Sequence, residues 1–192
     1  MIILINGPPS SGKDTAAMFM KKYLLGSVRE YKMSTTLKSG LQTLLGLEQE
    51  DWNRMLAYGA KDEPQLPLDI TPREALIKLS EDYMKVLFGE DIFGHIAVRR
   101  LKRMVSADHI LITDIGFTYE VIPILEEFGS KKIRILKLSR PNCNYKKDSR
   151  SYLNTDSLKM TPYVADINNQ YDLELFDAQV KSILKEWELI DD

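Results

Sequence analysis

Residues 6–15 read Asn-Gly-Pro-Pro-Ser-Ser-Gly-Lys-Asp-Thr, directly after the apolar run Ile2, Ile3, Leu4, Ile5. From Gly7 to Lys13 this is the pattern G-x-x-x-x-G-K. The run before it has the length and uniform apolarity of a buried parallel strand. The stretch after it, Thr15 to Leu25, places Ala16, Phe19, Met20, Tyr23 and Leu24 on one helical stripe. A strand, a tight turn on glycines and a helix in that order aim successive backbone N–H groups at one point. The helix dipole adds partial positive charge there. Lys13 adds a full charge suited to the outer phosphates of a nucleoside triphosphate. The usual Ser or Thr after the lysine is Asp14 here, with Thr15 one step on. Asp14 can reach a magnesium ion directly or through water, or Thr15 can bring its hydroxyl to the phosphates. The sequence leaves both open.

Beyond this loop the chain alternates. A short strand is expected at 28–33 and a helix at 37–47. One or two helical turns follow at 51–58, then a Pro-containing loop at 60–70. Thr71, Pro72 and Glu74 form a helix start, with Thr71 as N-cap, Pro72 at the first position and Glu74 closing a capping box. That helix should run to about Phe88. A further helix is expected at 91–106, a strand at 109–113, a helix at 119–128 stopped by Gly129, a strand at 132–138, a short last strand at 163–167 and a final helix at 172–187. The fold class is therefore α/β, with a parallel sheet of about five strands and helices on both faces. The phosphate loop belongs at the carboxyl edge, where such sheets bind ligands.

Bulk properties bound the rest. At 192 residues the chain fits one domain, 1–192, and its 44 % apolar and 28 % charged residues are ordinary for a globular protein. A net charge of −2 carries no global signature of nucleic-acid binding. The single cysteine, Cys143, excludes an internal disulfide. His95 and His109 stand far apart with no cysteine partners, which argues against zinc. No apolar run reaches membrane-spanning length, and the chain opens on a strand rather than a signal segment. A cytoplasmic protein without a membrane partner is expected.

Charged residues at strand and helix ends are the other candidates. Asp114 follows the apolar Ile110-Leu111-Ile112-Thr113. A carboxylate there can hold magnesium or accept a proton from an attacking hydroxyl. It can also cap the next helix. Glu120 faces the same cleft or lies solvated in a first helical turn. Arg140 and Arg150 bracket a polar stretch with Lys146, Lys147 and Asp148. Such arginines suit a flap that neutralises a transferring phosphoryl group, or an ordinary solvated loop. Lys38 and Arg73 are expected in first helical turns, where the dipole disfavours a cation unless an anion is bound. The run from Arg99 to Arg103 suits a solvated helix face, or contact with a nucleic-acid backbone.

Together these pieces resemble the phage-type deoxynucleoside monophosphate kinases, relatives of adenylate and thymidylate kinases. The resemblance rests on Gly12-Lys13-Asp14-Thr15, Leu37-Lys38, Lys61 to Pro64, Thr71-Pro72-Arg73, Thr113-Asp114 with Phe117 and Glu120, and Ile167-Asn168-Asn169. It implies a kinase with ATP and Mg²⁺, an acceptor-binding helical region at about 35–106 and a flap at about 140–161. Gly7, Ser10, Ser11, Gly12, Lys13, Asp14 and Thr15 would hold ATP. Lys38, Arg73, Asp114 and Glu120 would meet the acceptor, with Asp14 and Asp114 on the metal. Lys13, Asp114, Arg140 and Arg150 would carry the transfer. The expected acceptor is a deoxynucleoside monophosphate, and the expected compartment a host cytoplasm if the origin is a phage. Gly116 departs from the family's T-D-x-R-F pattern, which has arginine there. That departure keeps a second acceptor open, a hydroxymethylated pyrimidine such as 5-hydroxymethyluracil within DNA. A regulatory ATPase without an acceptor is a third reading. Base preference and oligomeric state are not legible.

Overall fold

In the computed structural model the opening apolar run is β1 (Ile2–Asn6), every residue of it buried at the centre of a five-stranded sheet. The structure describes every residue except Tyr58, Leu66, Val105, Lys147 and Asp192. The expected helical turns ending at 58 and the lysine at 147 thus reach outside the described residues. The other strands are β2 (Val28–Tyr31), β3 (His109–Ile112), β4 (Ile133–Ser139) and β5 (Tyr163–Asn168). Their order is β2-β3-β1-β4-β5 and all pair in parallel. Leu4 lies level with Ile112 on one side and Ile135 on the other. The chain leaves β1 toward β2 and leaves β4 toward β5. Connections diverging from neighbouring strands open a crevice outside their carboxyl ends, where ligands of such sheets sit.

The chain divides into two units, 1–32 with 93–192, and 33–92. In the first, the period of two along each strand separates two buried faces. Ile3, Ile5, Leu111, Leu136 and Leu138 pack with α1 (Lys13–Tyr23) and α8 (Leu173–Glu186) through Ala16, Met20, Phe176 and Val180. Phe19 meets Phe176 edge-on at 5.6 Å. Ile2, Leu4, Ile110, Ile112, Ile133 and Ile135 point the other way and are equally buried. The remaining long helices of this unit, α6 (Ile92–Leu101) and α7 (Thr118–Phe128), bury Phe93, Ala97, Val121 and Ile124. Gly129, at φ 76°, ends α7 as expected.

The second unit is helical: α2 (Ser34–Leu44), α3 (Gln49–Met55), α4 (Pro72–Lys78) and α5 (Lys85–Phe88). Leu41, Trp52, Met55 and Ala75 form its core. The capping box of Thr71 and Glu74 is present at the start of α4. The helix expected through Phe88 is continuous but holds a π-helical stretch, Leu79–Met84. There Lys85 is buried and both oxygens of Glu81 take its ammonium, at 2.7 and 2.8 Å. No helix among the described residues is long and apolar enough to cross a membrane.

Candidate active site

The loop after β1 is built as the sequence suggests. Ser11 N–H bonds to the Pro8 carbonyl at 3.2 Å, and Ala16 N–H to Gly12 at 2.8 Å, which opens α1. Pro8 and Pro9 have no N–H, and the amides of the first turn of α1 lack helical partners, which suits that turn to an anion. Gly12 holds φ 103°. A Cβ there would come within 2.7 Å of Asn169 Nδ2 and 3.1 Å of the Phe176 ring, so only glycine fits. Asn169 donates to the Ser11 carbonyl at 3.0 Å, which ties the loop after β5 to the phosphate loop. Ser10 is exposed and holds φ 63°, a strained conformation for serine. The side chain of Ser11 is fully buried beside Gly7, and its hydroxyl has no hydrogen-bond partner among the described residues.

Lys13 folds back over this loop. Its ammonium donates to the carbonyls of Gly7 and Pro8, both at 2.7 Å. Burial and the nearby charge of Arg150 pull its pKa down to about 8, against the opposing pull of Asp14, Asp148 and Asp114. Asp14 is 79 % exposed at its side chain. It accepts from Lys32 at 2.9 Å and from the Thr113 hydroxyl at 3.4 Å. The Lys32 hydrogen bond holds the Asp14 carboxyl below its ordinary value. Burial works against the Lys32 charge, but the bond to Asp14 and the fields of Asp14 and Asp114 outweigh it and leave Lys32 raised. Lys32 follows β2 at the same sheet edge. Asking which charge follows each strand, the question that found Asp114, would have found Lys32 too.

Asp114 follows β3 and is half-buried. The N-cap position of the next helix is held by Phe117. The field of Asp114 reaches Lys13, Lys32 and Arg150, so these four charges share one neighbourhood. Glu120 is 4 % exposed in the first turn of α7, which sets aside a solvated role. Arg140 follows β4, donates from Nη1 to the Ser10 carbonyl at 3.0 Å and lies 3.9 Å over the Tyr171 ring. Its Nε is buried without a partner among the described residues.

The stretch expected as a flap is fastened to the first unit along much of its length. Asn6, fully buried, donates to the Ile115 carbonyl at 3.0 Å, the Tyr145 hydroxyl at 3.2 Å and the Ser151 carbonyl at 3.1 Å. It accepts from Leu153 N–H at 3.1 Å. Tyr152 bonds to the Leu138 carbonyl at 3.1 Å, and Leu153 and Leu158 are buried. Burial pushes the Tyr145 hydroxyl well above its ordinary range, so it stays protonated. Arg150 is thereby brought beside Lys13 and is gripped by Asp148, a residue the sequence reading noted without assigning it a role.

In the second unit, Arg73 stands in the first turn of α4 as expected, and Asp62 holds it at 2.5 Å. Lys38 is the fifth residue of α2, not in its first turn, because the helix starts at Ser34. The dipole argument for a bound anion therefore does not apply to Lys38. Arg99 and Arg100 at the end of α6, and Lys102 and Arg103 in the 3-10 turn after it, are exposed, and Lys102 pairs with Glu127 at 2.7 Å. Among the described residues no group of three His, Cys, Asp or Glu side chains forms a metal cage. A magnesium ion held mainly by phosphate oxygens and water needs only one or two carboxylates. Asp14 and Asp114, with Thr15, are the residues that would hold such an ion.

Loop, sheet edge and charges define the class: an α/β protein whose G-x-x-x-x-G-K loop stands at the carboxyl end of the central strand of a parallel sheet. No family model matches the chain, and no curated protein matches it. Among solved structures, TT1252 from Thermus thermophilus is similar at 18 % identity, with 97 % of each chain covered and a TM-score of 0.48. A tunicamycin resistance protein of Deinococcus radiodurans is similar at 14 % identity, covering 95 % of this chain and 94 % of that one, with a TM-score of 0.46. A sugar kinase from Janibacter sp. is similar at 12 % identity, covering 98 % and 94 %, with a TM-score of 0.45. At these scores the likenesses carry no argument about chemistry.

Proposed function

We propose that this protein is an ATP-dependent phosphotransferase that moves the γ-phosphoryl group of Mg-ATP to a deoxynucleotide-type acceptor, a deoxynucleoside monophosphate in the first instance. The observation that carries the reading is the convergence of Lys13, Asp114 and Arg150 beside the loop at Gly7–Thr15. Phosphoryl transfer asks little covalent chemistry of a protein. It asks for a phosphate cradle, cations around the transferring group and a carboxylate for the metal or the nucleophile. The amides that open α1 bind the phosphates. Lys13 exchanges the Gly7 and Pro8 carbonyls for phosphate oxygens. Arg150 and Arg140 meet charge on the transferring group. Asp14, Asp114 and Thr15 would hold magnesium, which when bound offsets charge on the β- and γ-phosphates. Lys38, Arg73 and Glu120 are the proposed acceptor contacts, on the strength of the family resemblance.

A monophosphate acceptor attacks through an ionised phosphate oxygen and needs no base. A hydroxymethylated base attacks through a neutral hydroxyl and needs Asp114 to take its proton. The test is transfer from γ-labelled ATP, offered each deoxynucleoside monophosphate and, separately, DNA containing hydroxymethylated pyrimidines. Label in a free diphosphate is the expected result. Label in DNA would move the assignment to the base kinase. ATP binding without label in either would leave the regulatory ATPase and end the kinase reading. Lys13→Ala should abolish transfer in every arm.

A further inference from the structure

Asp148 and Arg150 are two residues apart and form a closed fork. Asp148 Oδ1 accepts from Arg150 Nε at 2.8 Å and from its backbone N–H at 3.0 Å, while Oδ2 accepts from Nη2 at 2.5 Å. The side chains are 7 % and 26 % exposed, so this is no solvated surface pair. The arginine stem lies on Gly116. A Cβ at Gly116 would fall within 2.5 Å of Arg150 Cβ and Cδ and would also strike Cγ. Glycine at 116 is what lets the stem lie there. The two segments are bolted together beside that contact, by Ser151 N–H to the Gly116 carbonyl at 3.0 Å and by Asn6 to the carbonyls of Ile115 and Ser151. A guanidinium has five N–H donors in a rigid fork. Asp148 takes two, and among the described residues no acceptor reaches Nη1. One edge is thus fixed and the other left for a ligand, next to Lys13 and Asp114.

We infer that Asp148 is a positioning residue of the phosphoryl-transfer site, holding Arg150 flat on Gly116 so that its outer N–H edge meets an oxygen of the terminal phosphate. This rests on the phosphotransferase reading for its place in the reaction, but its geometry can be tested by nucleotide binding alone. The probes are ADP and the non-hydrolysable triphosphate AMP-PNP, each with magnesium, measured by calorimetry on the full chain. Their affinity ratio reports contacts to the terminal phosphate. Asp148→Asn and Arg150→Ala should each cut the preference for AMP-PNP about tenfold, and the double variant should lose no more than Arg150→Ala alone. Gly116→Ala keeps both charged groups but displaces the stem, and should reproduce the loss of AMP-PNP preference with a lowered unfolding midpoint but a wild-type far-ultraviolet circular dichroism spectrum. It also decides the matter if Asp148→Asn does not fold. Equal loss of both nucleotides, additive losses in the double variant, or a wild-type ratio in Gly116→Ala would each overturn the inference. Absence of phosphate transfer by the wild type would fail the kinase reading and leave these binding ratios to judge Asp148. Transfer with an additive cycle would keep the kinase and remove the positioning role.

Discussion

Raising the pH should weaken triphosphate binding through Lys13. In the ligand-free protein this ammonium titrates at about 8, because burial and Arg150 disfavour its charge. The fall from 10.5 to about 8 corresponds to at most ~3.5 kcal/mol at ~1.4 kcal/mol per unit, and less in practice because the group is partly exposed and screened. The sign follows from linkage. The unfolded value lies above the folded one, so protonated Lys13 opposes the ligand-free fold below about pH 8, and the opposition fades as pH rises toward 10.5. A bound triphosphate reverses this by pairing with the ammonium and raising its pKa, so binding takes up a proton. Between about pH 7.5 and about pH 9.5 the protonated fraction of the free form drops roughly 25-fold, and affinity should follow it. Titration of AMP-PNP near pH 8.5, in two buffers of different ionisation enthalpy, should show uptake of roughly 0.8 proton per nucleotide. Lys13→Arg should bind with a flat profile and no uptake. A wild-type affinity that stays level to about pH 9.5, or the same uptake in Lys13→Arg, would refute the reasoning.

Three further outcomes follow from the same geometry. Asn6→Ala strands the Leu153 amide and the carbonyls of Ile115 and Ser151, and should cost about 3 kcal/mol in denaturant unfolding; a loss under about 1 kcal/mol would mean that Asn6 does not join these segments. Gly12→Ala places a methyl group against Asn169 at an unfavourable φ, and should cut AMP-PNP affinity at least about tenfold while far-ultraviolet circular dichroism keeps the wild-type shape. Thr71→Ala removes one half of the capping box on α4 and should lower stability by about 1 kcal/mol, with faster amide exchange in the first turn of that helix; unchanged exchange there would argue against the cap.

How far the sequence could be read depended on whether the deciding contacts were local. β1, β3 and β4 are apolar runs bounded by polar residues, and the Thr71 box and Gly129 stop are short-range signals, so all of them were legible. The start of α2 was not. Ser34, Thr35 and Thr36 have modest helix propensity, which made Leu37 look like the first helical residue and misplaced Lys38. Nor was the π-helical stretch at Leu79–Met84, because the buried partnership of Lys85 with Glu81 has the same spacing as an ordinary surface pair. In the site, Lys13 and Asp114 announce themselves by following apolar strands. Asn6 and Gly116 do not, since their roles depend on residues 145–153, far along the chain from either. A glycine that departed from the family pattern acquires a reason only when the Arg150 stem is found lying on it.

The partners of the site's cations divide them into two kinds. Lys13 and Arg140 rest on backbone carbonyls, those of Gly7, Pro8 and Ser10. Lys32 and Arg150 rest on the carboxylates of Asp14 and Asp148. Bonds between two ionised groups are roughly twice as strong as neutral ones. A phosphate therefore gains by replacing a carbonyl at Lys13 or Arg140, and gains little by replacing a carboxylate. Lys13 and Arg140 are the cations that change partners on binding, while Lys32 and Arg150 keep theirs and present only their remaining donors. A lone monovalent anion can satisfy one exchanging cation. A triphosphate can satisfy Lys13, Arg140, the α1 amides and the outer edge of Arg150 together, so on the proposed reading these three side chains and the amides favour a polyphosphate over a single anion.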